Sequence, residues 1–273
     1  MTDIQQDQQK KKKELYEKNL KNIKHTIVVM SGKGGVGKST VSVNLAYSLA
    51  EKGNKVGILD VDIHGPSVVK MTGVGNQKLV YKEGQSPAPV QVTDNLVVLS
   101  IASLLQDPDS PVIWRGPMKM NLIKQFMEDI EWPKLDYLIV DCPPGTGDEP
   151  LSVIQILKKI SGVIIVSTPQ ELAYLDVRKA INFAKKLEVP ILGIVENMTE
   201  IVCPHCGQHI ELFKAGSGEK ALKDFNIDLL GRIPFDVQVV QSGDTGKPFI
   251  GENANTEAGK RFNEVAEKII KKL

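Results

Sequence analysis

The sequence predicts an α/β fold with a mostly parallel sheet and helices on both of its faces. Three observations predict it. Apolar runs of strand length alternate with longer amphipathic stretches, the strand runs are apolar at successive positions, and a glycine-rich turn joins the first strand to the helix that follows. Successive apolar positions mean that both faces of a strand are covered, which is how parallel sheets are built.

The elements read as follows along the chain. Residues 1–24 are polar, with Lys10 to Lys13 an unbroken basic run, and form an N-terminal arm, either solvated or frayed as a helix; contact with a partner or an anionic surface is the alternative. Residues 25–273 form a single domain. Its strand and helix runs are Thr26 to Met30, then Val41 to Glu51; Val56 to Leu59; Tyr137 to Val140, then Leu151 to Ile160; Val163 to Val166, then Leu172 to Leu187; and Ile191 to Val195. Gly73 to Asp94, rich in Gly, Pro and Gln, reads as an excursion from the core with a hairpin. Asn255 to Leu273 places Phe262, Val265, Ile269 and Ile270 at helical spacing and reads as a packing helix, with a lipid-surface helix as its alternative.

Composition excludes some classes of function. A formal net charge of +1 supplies no field to attract nucleic acid or anionic lipid, so neither is an expected partner. No apolar run approaches the roughly 18 residues of a membrane span, and no secretory stretch opens the sequence, so the expected location is the cytoplasm. Three cysteines, an odd number, argue against a disulfide framework and for thiols available to metal or catalysis.

The chemistry begins at Ser31-Gly32-Lys33-Gly34-Gly35-Val36-Gly37-Lys38-Ser39-Thr40. From Gly32 to Ser39 it fits G-x-x-x-x-G-K-[ST] in the required context of strand, loop and helix, so the fold is of the P-loop NTPase type. The glycines let successive N–H groups turn toward an anion, and the helix adds its positive end. Gly32 to Thr40 then bind the nucleotide, Lys38 reaches the β and γ phosphates, and the Ser39 hydroxyl ligates Mg²⁺. The run Tyr137-Leu138-Ile139-Val140-Asp141 is an apolar strand closing on a carboxylate, with Asp141 holding Mg²⁺ directly or through water. Asp60 and Asp62 close the second strand at its carboxyl end, where ligands of open α/β sheets sit. His64 is more naturally a loop residue than a base, and Cys142 a small packed residue behind the turn-rich stretch Cys142 to Asp148.

The early lysine of Gly32-Lys33-Gly34-Gly35-Val36-Gly37-Lys38 resembles the deviant Walker A of the MinD/ParA ATPases. The resemblance implies a homodimer in which Lys33 reaches the partner's nucleotide, with Lys38, Asp62 and Lys33 as the catalytic residues. It also implies that Asp62 positions the attacking water and that Asp60 sits near the Mg²⁺ shell. Asn197 and Pro234 lie in segments that resemble the adenine-side loops of that superfamily, which is the only ground for ATP over GTP.

Cys203-Pro204-His205-Cys206-Gly207 sets two thiols at a spacing at which both meet one metal. Two thiols fall short of the roughly four that Zn²⁺ or an iron-sulfur cluster takes, and a two-fold dimer supplies the other pair. On the residues alone a bridging cluster, a zinc site bridging or completed by His205 or His209, a thiol-disulfide pair and a metal-free turn all stay open. The phosphate loop, Asp62-Ile63-His64-Gly65-Pro66-Ser67, Asp141 to Asp148 and the cysteine pair together resemble the Mrp/ApbC iron-sulfur cluster carriers from about His25 onward. That resemblance implies an ATP-hydrolysing carrier, with a labile [4Fe-4S] cluster held by Cys203 and Cys206 of two chains and passed to apo iron-sulfur proteins. Relatives with an N-terminal accessory domain or cysteine cluster differ here, since the first 24 residues hold no cysteine. A MinD/ParA-like positioning ATPase is the alternative, as is an ATPase with a bridging structural zinc.

Overall fold

The computed structural model describes residues 3–63, 65–75, 77, 79, 86–104, 116–170, 173–202, 206, 208–211 and 222–273. Its centre is a sheet of nine strands in the order β3-β4-β2-β5-β1-β6-β7-β8, with β9 also paired to β7. The inner strands are β1 (Ile23–Met30), β2 (Val56–Asp60), β4 (Leu96–Ser100), β5 (Leu135–Asp141), β6 (Gly162–Ser167) and β7 (Ile191–Val202). Their pairings are all parallel, as is that of β9 (Leu229–Phe235) with β7. Among the described residues only β3 (Val90–Thr93) and β8 (His209–Glu211) pair antiparallel, on β4 and β7.

The core follows from the apolar runs. Ile27, Val28, Val29 and Met30 are all buried, as are Leu138, Ile139 and Val140 beside them. Alternate side chains of a strand point to opposite faces, so this unbroken burial places covering layers on both faces of the sheet. Helix α2 (Lys38–Glu51) packs on β1, β2, β4 and β5, while α6 (Ala173–Lys186) covers β6 and β7. Along the chain between them come α3 (Val68–Met71), α4 (Gly116–Glu128) and α5 (Asp148–Leu157); α7 (Val237–Thr245) and α8 (Phe249–Asn253) follow β9.

The last helix, α9 (Glu257–Lys272), lays Ala258, Phe262, Val265, Ala266 and Ile269 against β9 and α2. Each large apolar side chain so buried contributes about 1.5–3 kcal/mol. Its apolar stripe therefore belongs to the core, except for Ile270, which the spacing also placed on that face and which is exposed.

The polar N-terminal segment is not a loose arm along its whole length. It forms α1 (Asp3–Asn22), and its last turns dock. Fully buried Asn19 donates to the Met127 and Ile130 carbonyls at 2.8 and 2.7 Å and accepts from Trp132 N at 2.9 Å, while the Tyr16 hydroxyl donates to Ile156 O at 2.6 Å. One amide side chain thus satisfies three buried backbone groups that would each cost about 1–3 kcal/mol unpaired. The early lysines stay exposed.

Two further differences concern β7 and the glycine-rich excursion. The strand read as Ile191 to Val195 runs on to Val202, because β9 and β8 supply partners beyond the apolar run. Asn197 therefore lies within the strand rather than after it, and Pro234 lies in β9. The described end of the excursion forms the β3–β4 hairpin, and residues 76, 78 and 80–85 fall outside the described residues.

Candidate functional site

The site grows from the carboxyl ends of β1, β2 and β5. Gly35 and Gly37 hold the left-handed φ values of +78° and +79° that the loop needs to turn its N–H groups inward. At Gly37 a Cβ would also meet Asn197 Nδ2 at 2.2 Å, so β7 is pressed against the loop there. Helix α2 begins at Lys38 with no side-chain cap and no acidic residue in its first turn, which leaves its N–H groups and positive end for an anion.

Behind the loop lies a network centred on Asp141, which is fully buried. Its Oδ2 accepts from Lys38 Nζ at 2.9 Å and from the Ser39 hydroxyl at 2.6 Å; its Oδ1 accepts from the Ser42 hydroxyl at 2.6 Å. Lys38 Nζ stands 3.8 Å from Asp62 Oδ2 as well. Burial opposes the charge of Lys38, but the neighbouring Asp141 carboxylate, and Asp62 after it, outweigh that and hold the ammonium above the usual lysine range. The lysine is therefore charged at any physiological pH.

Asp60 is likewise fully buried; its Oδ1 accepts from Asp62 N at 3.1 Å and its Oδ2 from the Ser100 hydroxyl at 2.9 Å. Burial, and then the negative charge of Asp141, push its carboxyl up to about 8 against those bonds. Burial likewise pushes the Cys142 thiol well above its usual range, in keeping with a packed and unreactive residue at the start of the turn-rich stretch. The turn-rich stretch Cys142 to Asp148 leans on the loop, with Gly145 N donating to Ser31 O at 2.8 Å.

These groups front a cavity of about 490 Å³, within the size range of small-ligand pockets. Its floor is Gly34 to Thr40, with Asp62 and Pro144 at the phosphate end. Its lining continues through Asn197 and Met198, which touch the loop, to Ile233 to Asp236 and the α7 residues Val239 and Val240, whose apolar side chains suit a planar base. The sequence-predicted Gly34 to Thr40, Asp62, Asn197 and Pro234 are thus brought together. Gly32 packs instead against α6, where a Cβ would meet the Asp176 backbone oxygen at 2.5 Å. Lys33 Nζ donates to Gln170 Oε1 at 3.2 Å, on the turn after β6.

The donors present fit Mg²⁺: the Ser39 hydroxyl and the Asp141 carboxylate are hard oxygen ligands 2.6 Å apart at the foot of the phosphate loop. Asp60, buried and bonded at both oxygens like Asp141, lies beside it on the neighbouring strand, and its bonds run to Asp62 N and Ser100 rather than to the phosphate loop. Three polar partners escaped the sequence reading: Ser42, Ser100 and Gln170. Only Ser42 carried a signal, lying one helical turn after Lys38 and so on the same face of α2.

The cysteine pair lies in the connection 203–208 between β7 and β8. Cys206 is exposed with a free thiol, whereas Cys203, His205 and His64 fall outside the described residues. His209, offered for zinc, pairs through Nδ1 with Glu200 Oε2 at 3.0 Å. Among the described residues no three His, Cys, Asp or Glu side chains gather into a metal cage, and no helix is long and apolar enough to cross a membrane.

Comparison with known proteins agrees with this geometry. The family model described as ParA, NUBPL iron-transfer P-loop NTPase, matches residues 22–270. Proteins named iron-sulfur cluster carrier protein are 46% identical in Methanocaldococcus jannaschii, over 93% of this chain and 87% of that one, and 48% identical in Saccharolobus solfataricus, over 92% and 85%. A nucleotide-binding protein from Archaeoglobus fulgidus, solved in complex with ADP, is 38% identical with a TM-score of 0.78, covering 91% of this chain and 96% of that one. The cell division ATPase MinD of Pyrococcus furiosus, 24% identical with a TM-score of 0.64 over 91% and 99% of the two chains, shares the fold. With nearly its whole length matched, the chain belongs to the ParA family of NUBPL-type iron-transfer P-loop NTPases.

Proposed function

We propose that this protein is an ATP-hydrolysing iron-sulfur cluster carrier that works as a homodimer in the cytoplasm. The observation that carries the reading is a nucleotide-sized cavity floored by a two-lysine phosphate loop, in a chain whose relatives are named cluster carriers. The Archaeoglobus fulgidus relative solved with ADP supports the nucleotide assignment.

In this reading Gly34 to Thr40 wrap the phosphates and the base enters the slot between Asn197 and Pro234. Lys38, held charged by Asp141, sits against the β and γ phosphates. Asp62, at the phosphate end of the cavity, orients the water that attacks the γ phosphorus, so that the bond to the β-bridging oxygen breaks and ADP and inorganic phosphate leave. Mg²⁺ held by Ser39 and Asp141, with Asp60 beside Asp141, would supply positive charge to the β and γ oxygens. Lys33 serves a second chain's nucleotide in this reading, which its being held on Gln170, outside the lining of its own cavity, supports.

The cargo is a labile [4Fe-4S] cluster held by Cys203 and Cys206 of both chains and handed to apo iron-sulfur proteins. The exposure of Cys206 on a hairpin at the sheet edge supports a site open to a second copy and to a recipient. A positioning ATPase would want a free amphipathic tail, and the apolar stripe of α9 is already packed on β9 and α2.

Anaerobic reconstitution with iron and sulfide tests the cargo. The parent should hold about four iron atoms per two chains and activate an apo [4Fe-4S] enzyme, and Cys206→Ser should lose both while still binding ATP. Iron retention by Cys206→Ser equal to the parent rejects the ligand assignment, and zinc retained in place of iron favours the structural-zinc alternative.

A further inference from the structure

Strand β7 serves two places at once. Its middle stands against the phosphate loop, where Asn197 Nδ2 donates to Val36 O at 3.0 Å and Met198 Cε comes within 3.2 Å of the position a Cβ would take on Gly37. Both residues line the nucleotide cavity. Its end, at Val202, leads directly into the connection that holds Cys203 and Cys206, and its last three residues pair with β8 through Glu200↔Glu211, Ile201↔Ile210 and Val202↔His209. Only residues 198–202 separate Asn197 from the cysteine connection.

The backbone between the two places is irregular. Met198 has φ +58°, a left-handed conformation that long side chains rarely adopt, and among the described residues it is the one non-glycine residue inside a strand to do so. The pairing with β9 also slips there. Asn197 faces Ile233 and Ile201 faces Phe235, so four steps on β7 answer two on β9 and the strand carries two extra residues. Thr199 Oγ1 donates to Ile233 O at 3.3 Å and pins this bulge to β9. Bulges re-aim the strand that bears them, and an unfavourable φ persists only where its surroundings impose it. Here the surroundings are the phosphate loop on one side and the hairpin on the other.

We propose that Met198 is a positioning residue that couples the two sites: its left-handed backbone joins the segment touching the phosphate loop to the hairpin bearing Cys203 and Cys206, so that filling the nucleotide cavity re-aims the hairpin. The proposal rests on the reading of those cysteines as the cargo ligands. A bound nucleotide presses on Asn197 and Met198 directly. The bulge, fixed on β9 by Thr199, cannot slide by one residue without reversing every side chain beyond it, so displacement at Met198 passes on as a rotation of residues 199–202 together with β8.

The test reads the thiols and needs no iron. The full-length protein, monomeric by sedimentation at the concentration used, is alkylated with iodoacetamide with and without saturating ADP and Mg²⁺, and the rates at Cys203 and Cys206 are read by peptide mass. Nucleotide should change those rates about fivefold or more in the parent. Met198→Val, whose branched side chain resists a positive φ, should lose that response at saturating nucleotide, whereas Met198→Asn, which tolerates the left-handed region, should keep it. Equal rates with and without ADP in the parent, a full response in Met198→Val, or no response in Met198→Asn would each overturn the proposal. Should Met198→Val fail to fold or bind, Met198→Gly replaces it: its joint keeps the conformation without stiffness, a reduced response sustains the proposal, and a full one overturns it. Iron retention is measured separately, so loss of coupling and loss of the cargo assignment give different results.

Discussion

Removing the Ser42 hydroxyl tests what its short bond does for the carboxylate at the centre of the site, its other contact being a longer one to Lys38 O at 3.1 Å. Ser42 and Ser48 lie on the same helix, and both are fully buried. The Ser42 hydroxyl donates to Asp141 Oδ1 at 2.6 Å, whereas Ser48 Oγ has no hydrogen-bond partner among the described residues. Lys38 and Ser39 both bond Oδ2, so Ser42→Ala leaves Oδ1 without a donor. A bond to a charged group contributes about 1.5–3 kcal/mol, and a loss of about 2 kcal/mol lowers Tm by about 4–8 °C in a protein near this size. Ser48→Ala removes an unpaired hydroxyl and should be neutral or slightly stabilising. Thermal and urea unfolding of the nucleotide-free variants read the difference, and Ser42→Ala should also need more Mg²⁺ for half-maximal ATP hydrolysis, since the carboxylate it frees no longer faces Ser39 firmly. Equal destabilisation by the two substitutions refutes the assignment of Ser42 to Asp141.

Lys38→Ala should lower ATP turnover by on the order of 10²–10³-fold, the loss expected when one preorganised charge at the phosphates is removed; unchanged turnover in a purified sample places hydrolysis elsewhere. Lys33→Ala should leave the nucleotide affinity of the single chain nearly unchanged, because Lys33 Nζ is held on Gln170, while turnover at high protein concentration falls on the order of 10²-fold or more; a large rise in Kd for ADP counts against action in trans. Asp60 gives a signed pH dependence. Its carboxyl is raised from 3.8 to about 8 in the fold, so the native state holds a proton that the unfolded chain has lost, and its contribution to stability is full below 3.8 and declines as pH rises toward about 8. Asp60→Asn should remove that decline from the nucleotide-free protein, and the same pH slope in parent and variant contradicts it.

Much of this architecture is legible in the sequence, for a physical reason. Parallel strands buried on both faces are uninterrupted apolar runs, so β2, β5 and β6 stand out within one or two residues of their ends, while β1 begins three residues before its apolar run. The phosphate loop and its lysine are legible because few other patterns turn a strand into a helix through so many glycines. What hid from view depends on distant partners. The far half of β7 and the whole of β9 carry Glu196, Asn197, Glu200, Arg232 and Pro234, and they become strands because each lends the other its pairing edge. Strand β4 is apolar but sits behind the glycine-rich excursion, which draws the eye from it. The docking of α1 rests on a few side chains, Tyr16, Asn19 and Asn22, which in a polar sequence look like any other surface residues. Ser100 and Gln170 acquire meaning only when folding sets them beside Asp60 and Lys33. The bulge at Met198 is hidden from the sequence because Asn197, the type there that favours a left-handed backbone, is not the residue that adopts it; Met198 is.

Two chains facing each other across the cysteines are what the carrier reading depends on most. Sedimentation velocity of the iron-loaded protein under anaerobic conditions, followed at a visible wavelength where only the cluster absorbs, tests this directly. All of the visible absorbance should move as a dimer with about one cluster per pair of chains, and chelation of the iron should return the protein to monomers when nucleotide is absent. A cluster that sediments with a single chain, as stably as in the loaded sample, contradicts the shared four-thiolate site.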